Sequence, residues 1–82
     1  ELARYGIRMA AVAPGYTDVG WAPDDIRWEA AARLPFGRFA STREIAEAVA
    51  YLASEQAAYI TGTTLTVDGG ATLPVVAAND FV

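Results

Sequence analysis

The sequence predicts an incomplete α/β fold, in which two parallel strands are joined through intervening helices. Residues 7–13 form an almost continuously apolar run between Gly6 and Pro14-Gly15, as in a strand that is buried on both faces. Residues 63–67 combine three Thr with two aliphatic side chains and end at Asp68-Gly69-Gly70, which has strong turn chemistry. The stretch between them carries two sets of helix signals, so the two strands are expected to pair in parallel.

The first residues are predicted to end a helix just before the first strand. Residues 1–5 have the character of a last helical turn, and Gly6 stands where a left-handed C-terminal cap is expected. A short buried helix is the alternative for residues 7–13, because Ala and Met form strands less readily than Val or Ile. Pro14-Gly15 ends the strand and begins a loop that continues to residue 22.

Two helices are predicted in the middle of the chain. The first begins at Pro23-Asp24-Asp25, with acidic residues that suit the helix dipole, and runs to about Leu34 before Pro35 stops it. The second begins at the capping box Ser41-Thr42-Arg43-Glu44. Its apolar residues share helical spacing and predict one face packed on a core: Ile45, Ala46, Val49, Leu52 and Ala53. Residues 55–61 are interpreted as a turn or short helical coil.

Composition excludes several kinds of chemistry. The 82 residues include six Arg and ten acidic side chains, but no Lys, His or Cys. The chain therefore lacks an imidazole base, a thiolate, a Schiff-base amine and the N and S ligands of common metal sites. The net charge of -4 and the scattered Arg residues argue against a nucleic-acid partner. The longest uncharged stretch, residues 56–67, is too short to cross a membrane.

The predicted elements do not suffice for a stable fold. A two-stranded parallel sheet cannot cover a strand that is apolar on both faces. Ordering the backbone of 82 residues costs on the order of 80 to 160 kcal/mol, which so few packed layers do not offset. We therefore expect the missing strands to lie in further chain or in a partner. Because the chain starts at Glu1 rather than Met, we interpret it as a piece of a longer chain or as a processed chain. No signal peptide is recognisable, and the expected location is cytoplasmic.

Seven short motifs occur in an order and spacing typical of one family. They are Ala3-Arg4-Tyr5-Gly6-Ile7-Arg8, Ala11-Val12-Ala13-Pro14-Gly15, Leu34-Pro35-Phe36-Gly37-Arg38-Phe39, Glu44-Ile45-Ala46, Val49-Ala50-Tyr51-Leu52-Ala53-Ser54, Tyr59-Ile60-Thr61-Gly62 and Val67-Asp68-Gly69-Gly70. Up to about Leu73 the chain resembles the C-terminal third of short-chain dehydrogenase/reductases. The resemblance implies a Rossmann-type doubly wound parallel sheet, with residues 1–73 as the C-terminal part of a dinucleotide-binding domain, residues 18–34 as a substrate lid and residues 74–82 as a tail.

The resemblance also implies an activity and a division of labour. Members of the family move a hydride between NAD or NADP and an alcohol or carbonyl carbon, using Ser, Tyr and Lys groups upstream of the matched part. This chain has no Lys, so a Tyr-x-x-x-Lys pair cannot occur in it, and we predict no catalytic residue here and no activity of the 82 residues alone. Their expected contribution is the nicotinamide-side loop, the lid and a subunit interface. A non-catalytic truncated or degenerate relative, acting as an assembly or binding module, is the alternative.

The cofactor contacts implied by the resemblance lie after the first strand. Pro14 fixes the chain direction there, and Gly15 permits close backbone approach. Thr17 stands where family members often hold the nicotinamide carboxamide through the backbone, while Val19 replaces a frequent Thr and removes its hydroxyl. The predicted cofactor-binding residues are Pro14, Gly15, Thr17 and Val19. NAD and NADP are not distinguished, because that choice is made near the ribose in the first half of the domain.

The lid and the last strand carry the other implied contacts. Tyr16 and Trp21 are predicted to bind a small-molecule alcohol or carbonyl substrate that is partly apolar, with packing as the alternative for each. Trp28 is interpreted as packing the lid helix onto the body, with substrate contact as the alternative. Residues 63–67 and the tail are candidate surfaces of a homo-oligomer.

Two charged residues are interpreted as structural. Arg38 precedes the capped helix with Glu44 and Glu47, which favours an ion pair over a cofactor-phosphate contact. Asp68 is followed by two glycines, which favours bonds from its carboxylate to the turn backbone over a catalytic role.

Overall fold

The computed structural model describes residues 1–73 and has an α/β architecture. The strands are β1 (Ala10–Pro14), β2 (Thr17–Asp18), β3 (Ala40–Ser41) and β4 (Thr63–Val67). The helices are α1 (Asp24–Ala31) and α2 (Thr42–Ala53), and short 3-10 helices span Leu2–Tyr5 and Glu55–Ala57. The order of the predicted strands and helices is confirmed. The predicted tail, residues 74–82, lies outside the described residues.

The main sheet pairs the first and last strands. β1 and β4 run in parallel, in register from Ala10 opposite Thr63 to Pro14 opposite Val67, which confirms the predicted pairing. β1 begins at Ala10, later than the apolar run that starts at Ile7, and Met9 just before it is bonded to the segment that precedes β4. The Met9 amide donates to the Thr61 hydroxyl at 3.0 Å, and its carbonyl accepts from the Gly62 amide at 2.7 Å.

Helix α2 begins at the predicted capping box. The Ser41 hydroxyl accepts from the Glu44 amide at 3.1 Å, and the Glu44 carboxylate accepts from the Ser41 amide at 2.9 Å. Arg38 donates to both carboxylate oxygens of Glu44, at 2.9 and 3.0 Å, so its structural ion pair is confirmed. Glu47 takes Arg43 as its partner instead, at 2.9 Å. The start of α2 is therefore fixed by backbone, hydroxyl and guanidinium donors together.

The end of α2 is tied to the approach to β1. The Arg8 guanidinium donates to the carbonyls of Leu52 at 2.8 Å, Ile60 at 3.2 Å and Ser54 at 3.4 Å. These include carbonyls at the C-terminal end of the helix, which lack intrahelical partners and favour a nearby cation. Gly6, just upstream, has φ +75° and caps the first 3-10 helix in the predicted left-handed conformation.

Little of the described chain is buried. Only Ala31, Leu52 and Ala57 are buried within residues 1–73, and β1 is exposed or half-buried along its length. The burial of β1 on both faces that the sequence predicts is thus not reached by these residues alone, in which α2 is the main element packed on the sheet. Among the described residues, no helix combines the length and apolar character that a membrane span requires.

The lowered pKa of the Glu44 carboxylate leads to a prediction of how stability changes in acid. Its bonds to Arg38 first, and to the Ser41 amide second, lower its pKa from 4.5 to about 2. A pKa that is lower in the folded state contributes stability above the unfolded value, and this contribution is lost as pH falls from about 4.5 toward 2. In the complete protein that carries this segment, Glu44→Gln should therefore lower the stability at pH 6 and flatten its acid dependence over this window, as read from denaturant midpoints.

The matched control is Glu29→Gln, because the Glu29 carboxylate accepts only from Arg33, at 3.3 Å, among the described residues. It should leave the acid dependence close to that of the unsubstituted protein. An acid limb in Glu44→Gln as steep as in the control would contradict the assignment.

Candidate functional site

An open cleft lies at the edge where the parallel strands β1 and β4 both end. Open α/β sheets bind their ligands at this edge, outside the carboxyl ends of the strands. The turn after β1 and the turn after β4 face each other across it. The cleft is lined by Ala13, Pro14, Gly15, Tyr16, Thr66, Asp68, Ala71 and Thr72.

Gly15 lies in close contact with the opposite turn. A Cβ atom at this position would be 2.8 Å from both Cα and Cβ of Asp68, nearer than packed carbon atoms approach. The Gly15 amide donates to the Val67 carbonyl at 3.0 Å, and its own carbonyl accepts from the Thr17 hydroxyl at 3.0 Å. Glycine is thus required here by a neighbour within the chain. Both of its backbone polar groups are already bonded internally.

Asp68 holds the second turn, as the sequence predicts. One carboxylate oxygen accepts from the Gly70 amide at 3.0 Å, and the other accepts from the Thr72 amide at 2.9 Å and from the Thr72 hydroxyl. The Thr72 hydroxyl, followed by the Gly70 amide, lowers the pKa of this carboxyl below its ordinary value. A carboxylate engaged in this way fixes the turn after β4, and Asp68 is one of the residues that line the cleft.

A second, short parallel ladder follows the first turn. Thr17 and Asp18 of β2 lie opposite Ala40 and Ser41 of β3, and the Ala40 amide donates to the Tyr16 carbonyl at 2.9 Å. In a parallel ladder, alternate residues bond the neighbouring strand, so the N–H and C=O of Thr17 point away from β3. Thr17 therefore presents a donor and an acceptor together on the open side of β2.

The side chains around this ladder differ in their surroundings. Tyr16 stacks on Phe39, with ring centroids 5.5 Å apart, and remains largely exposed. Its ring therefore packs within the chain and still has surface that is open to solvent. Val19 and Trp21 are exposed, Trp21 at 81%. Trp28 is 76% exposed, so the prediction that it packs α1 onto the body is wrong for the described residues. Within them α1 buries only the small Ala31, and the Trp28 side chain lines an open cleft instead.

The structure reveals an ion-pair cluster that the sequence did not predict. Arg27 of α1 donates through one nitrogen to Asp18, at 2.6 Å, and through the other to Asp24. Asp18 also accepts from the Gly20 amide at 3.0 Å. The bond to Asp24, followed by the charge of Asp18, raises the pKa of Arg27. Helical spacing signals the Asp24 pair, but nothing local in the sequence joins Arg27 to Asp18.

A second cleft lies between α1 and β3. Its charged lining consists of Asp18, Asp24, Arg27 and Arg38, and both arginines are already paired with carboxylates. Because these pairs neutralise the guanidinium groups, this cleft does not have the chemistry of an anion site. No group of three or more metal-ligating side chains occurs within residues 1–73.

The Thr17 hydroxyl gives a direct test of how the first turn is fixed. Thr17→Val keeps the shape of the side chain but leaves the Gly15 carbonyl without its donor, so stability should fall by about 1 kcal/mol. Thr63→Val is the control, since no hydrogen bond involves its side chain among the described residues. The measurement is denaturant unfolding of both variants in the complete protein that carries this segment, and equal stabilities would refute a structural role for this bond.

Comparisons with known proteins agree with this architecture. The family model described as enoyl-(acyl carrier protein) reductase matches residues 1–72. The chain is 52% identical over 73 residues to cis-4-hydroxycyclohexanecarboxylate dehydrogenase from Sinomonas cyclohexanicum, and equally so to 3-oxoacyl-(acyl-carrier-protein) reductase FabG from Escherichia coli. Each match covers 85% of this chain, but 29% and 30% of the respective relatives.

A solved structure shows the same arrangement. A short chain dehydrogenase family protein from Francisella tularensis superposes with a TM-score of 0.80 at 32% identity, over 89% of this chain and 36% of that protein. The chain belongs to the short-chain dehydrogenase/reductase family of oxidoreductases. It spans about 30% of the length of the curated relatives that it matches.

Proposed function

We propose that the chain is the C-terminal part of an NAD(P)-dependent oxidoreductase that transfers a hydride between a nicotinamide cofactor and an alcohol or carbonyl substrate. The chain's contribution is the nicotinamide-side loop, the substrate lid over residues 18–34 and a subunit interface. The observation that carries the proposal is the N–H and C=O pair of Thr17, which points away from β3 beside the cleft. A carboxamide has the complementary donor and acceptor.

The residues of the first turn fit the nicotinamide end of the cofactor. Pro14 and Gly15 are held against the second turn, so the backbone that follows them is fixed in advance. Gly15 itself has no free polar group, which leaves the carboxamide to the backbone of Thr17 and Val19. Bound NAD or NADP supplies the hydride chemistry. Its phosphates and ribose would be bound by the first half of the domain, which also makes the choice between the two cofactors.

The proton-transfer groups are assigned outside these residues. The chain has no lysine, so the Tyr and Lys pair of the family, together with its Ser, lies in the upstream part in this proposal. The exposed Tyr16 ring and the exposed Trp21 would contact the apolar part of a small alcohol or carbonyl substrate. These side chains hold and shield the substrate, and the chain alone is inactive.

The open faces of the sheet suit the missing part of the domain. Ile7, Met9 and Leu65 are exposed beside β1 and β4, and a groove next to α2 is lined by Arg8, Ala10, Val12, Val49, Leu52 and Ala53. Covering these surfaces with the remainder of the Rossmann domain would complete the layers that a parallel sheet requires. The outer edge of β4 is the proposed surface for a homo-oligomer.

The test is to express the chain behind its upstream sequence and to assay cofactor-dependent alcohol oxidation. The expected result is oxidation that depends on NAD or NADP and on an upstream Tyr-x-x-x-Lys. An upstream sequence that lacks both this pair and a Gly-rich phosphate turn would overturn the catalytic proposal.

The exposed apolar surface also suits a second candidate, a non-catalytic assembly module that pairs with another chain. Light scattering and hydrogen exchange on the 82-residue chain separate the possibilities. Stable complexes that form without any nicotinamide binding favour the module. A well-protected monomer would contradict both the module and the partial-domain proposal.

A further inference from the structure

Arg27 is bonded to the residue that lies between two proposed cofactor contacts. Asp18 stands between Thr17 and Val19, and its carboxylate accepts from Arg27 at 2.6 Å and from the Gly20 amide at 3.0 Å. Arg27 belongs to α1, the helix of the lid segment. One side chain therefore connects the lid helix to the backbone that would hold the carboxamide.

The charges of this cluster favour a structural connection over a ligand site. Arg27 is shared between Asp18 and Asp24, so the three side chains together carry one net negative charge. The third guanidinium nitrogen, Nε, is buried and has no hydrogen-bond partner within residues 1–73. A substrate carboxylate or cofactor phosphate would meet two carboxylates here, and the cluster would repel it.

The two ion pairs of Arg27 connect different parts of the chain. The pair with Asp24 lies within one turn of α1 and cannot hold the helix to anything else. The pair with Asp18 crosses from α1 to β2, and it is the polar link between these two elements in the described chain. The Asp18 carboxylate also accepts from the Gly20 amide and so closes a turn of the backbone over residues 18–20. By bonding this carboxylate, the Arg27 guanidinium is connected to that turn and not only to a side chain.

We propose that Arg27 is a positioning residue for the cofactor: through Asp18 it fixes the backbone of residues 17–19 and docks the lid helix beside it. This inference rests on the proposed function. Without the Asp18 pair, Arg27 keeps its partner on α1 while Asp18 loses its only cationic partner in the described residues. Residues 17–19 then sample more conformations, and the carboxamide contacts form less often.

The test compares variants of the complete oxidoreductase that carries this segment. Arg27→Gln removes both pairs, Asp24→Asn removes only the local one, and Arg33→Gln removes the exposed pair of Arg33 with Glu29 on the same helix. The probes are NADH and NADPH, titrated by protein fluorescence, and hydrogen exchange at the Gly20 amide. The second readout does not depend on activity.

Arg27→Gln and Asp18→Asn should each weaken cofactor binding and accelerate Gly20 exchange by about two- to fivefold, the range of partly exposed ion pairs. Their effects should not add in the double variant, because both remove the same bond. Arg27→Lys should recover part of the loss, since an ammonium can keep the Asp18 pair. Asp24→Asn and Arg33→Gln should match the unsubstituted protein.

The two levels of the proposal fail in different ways. If the unsubstituted enzyme binds neither NADH nor NADPH, the proposed function is overturned. If it binds cofactor and Arg27→Gln binds equally well, with Gly20 exchange unchanged, the positioning role is overturned. Additive effects of the Arg27 and Asp18 substitutions would also overturn it.

Discussion

Replacing Gly15 by Ala is expected to destabilise the protein by about 1 to 3 kcal/mol, the usual cost of forcing an extra carbon into a packed contact. The new Cβ would lie 2.8 Å from the Cα and Cβ of Asp68, and a backbone atom cannot rotate out of the way. The turns after β1 and β4 must therefore separate. Because the separation also moves Thr17, we expect at least a tenfold loss of affinity for NADH or NADPH, or about 1.4 kcal/mol of binding energy.

Gly37→Ala provides the control for this result. Gly37 has φ +73° with no atom near its virtual Cβ, so Ala there is strained at the backbone but touches nothing. Its expected cost is about 1 kcal/mol of stability, with cofactor affinity unchanged. Unfolding curves and cofactor titration measure the two effects separately. If Gly15→Ala bound cofactor as well as Gly37→Ala does, the contact of the two turns would be irrelevant to the site.

Replacing Leu52 by Ala is expected to have the largest effect on stability, about 2 to 5 kcal/mol. Leu52 is 9% exposed and is the largest buried side chain in the described residues. It lies on the face of α2 that contacts the sheet, and Arg8 bonds its carbonyl. Truncating it leaves a cavity between the helix and the strands that position the site.

Val49→Ala is the comparison, since Val49 lies nearly one turn earlier on α2 and is 52% exposed. It should cost less than Leu52→Ala in denaturant unfolding of the complete enzyme. Equal or reversed costs would mean that Leu52 is not the main buried side chain on this face of α2.

The parts of the fold that the sequence predicted correctly are those with local causes. The capping box at Ser41, the left-handed Gly6 and the glycine pair after Asp68 each act within a few residues, and each appears in the structure. The parallel pairing of β1 and β4 followed from strands separated by helices.

What the sequence did not predict depends on contacts between distant segments. Strands β2 and β3 have two residues each, too few to show a periodicity. The requirement for glycine at position 15 comes from Asp68, which is far along the chain. The exposure of Trp28 reflects the surface it would pack on, which the described residues do not supply.

The sequence predicted where the candidate site lies, but not how its backbone is oriented and held. Motif order placed Pro14, Gly15, Thr17 and Val19 at one turn, and the structure puts that turn at the carboxyl edge of the sheet. The direction of the Thr17 backbone groups and the tie between Asp18 and Arg27 required the tertiary structure. Their role toward a nicotinamide cofactor remains a proposal.

A chimera tests the central claim most directly. In the Escherichia coli reductase FabG, the matched 73-residue segment would be replaced by the corresponding residues of this chain. We predict a folded protein that binds NADH or NADPH and reduces a 3-oxoacyl substrate, and that binds the cofactor at least tenfold more weakly when Gly15→Ala is introduced. A chimera with native-like circular dichroism and the parent's assembly state that binds neither cofactor would contradict the proposal that this chain forms the nicotinamide side of a dehydrogenase active site.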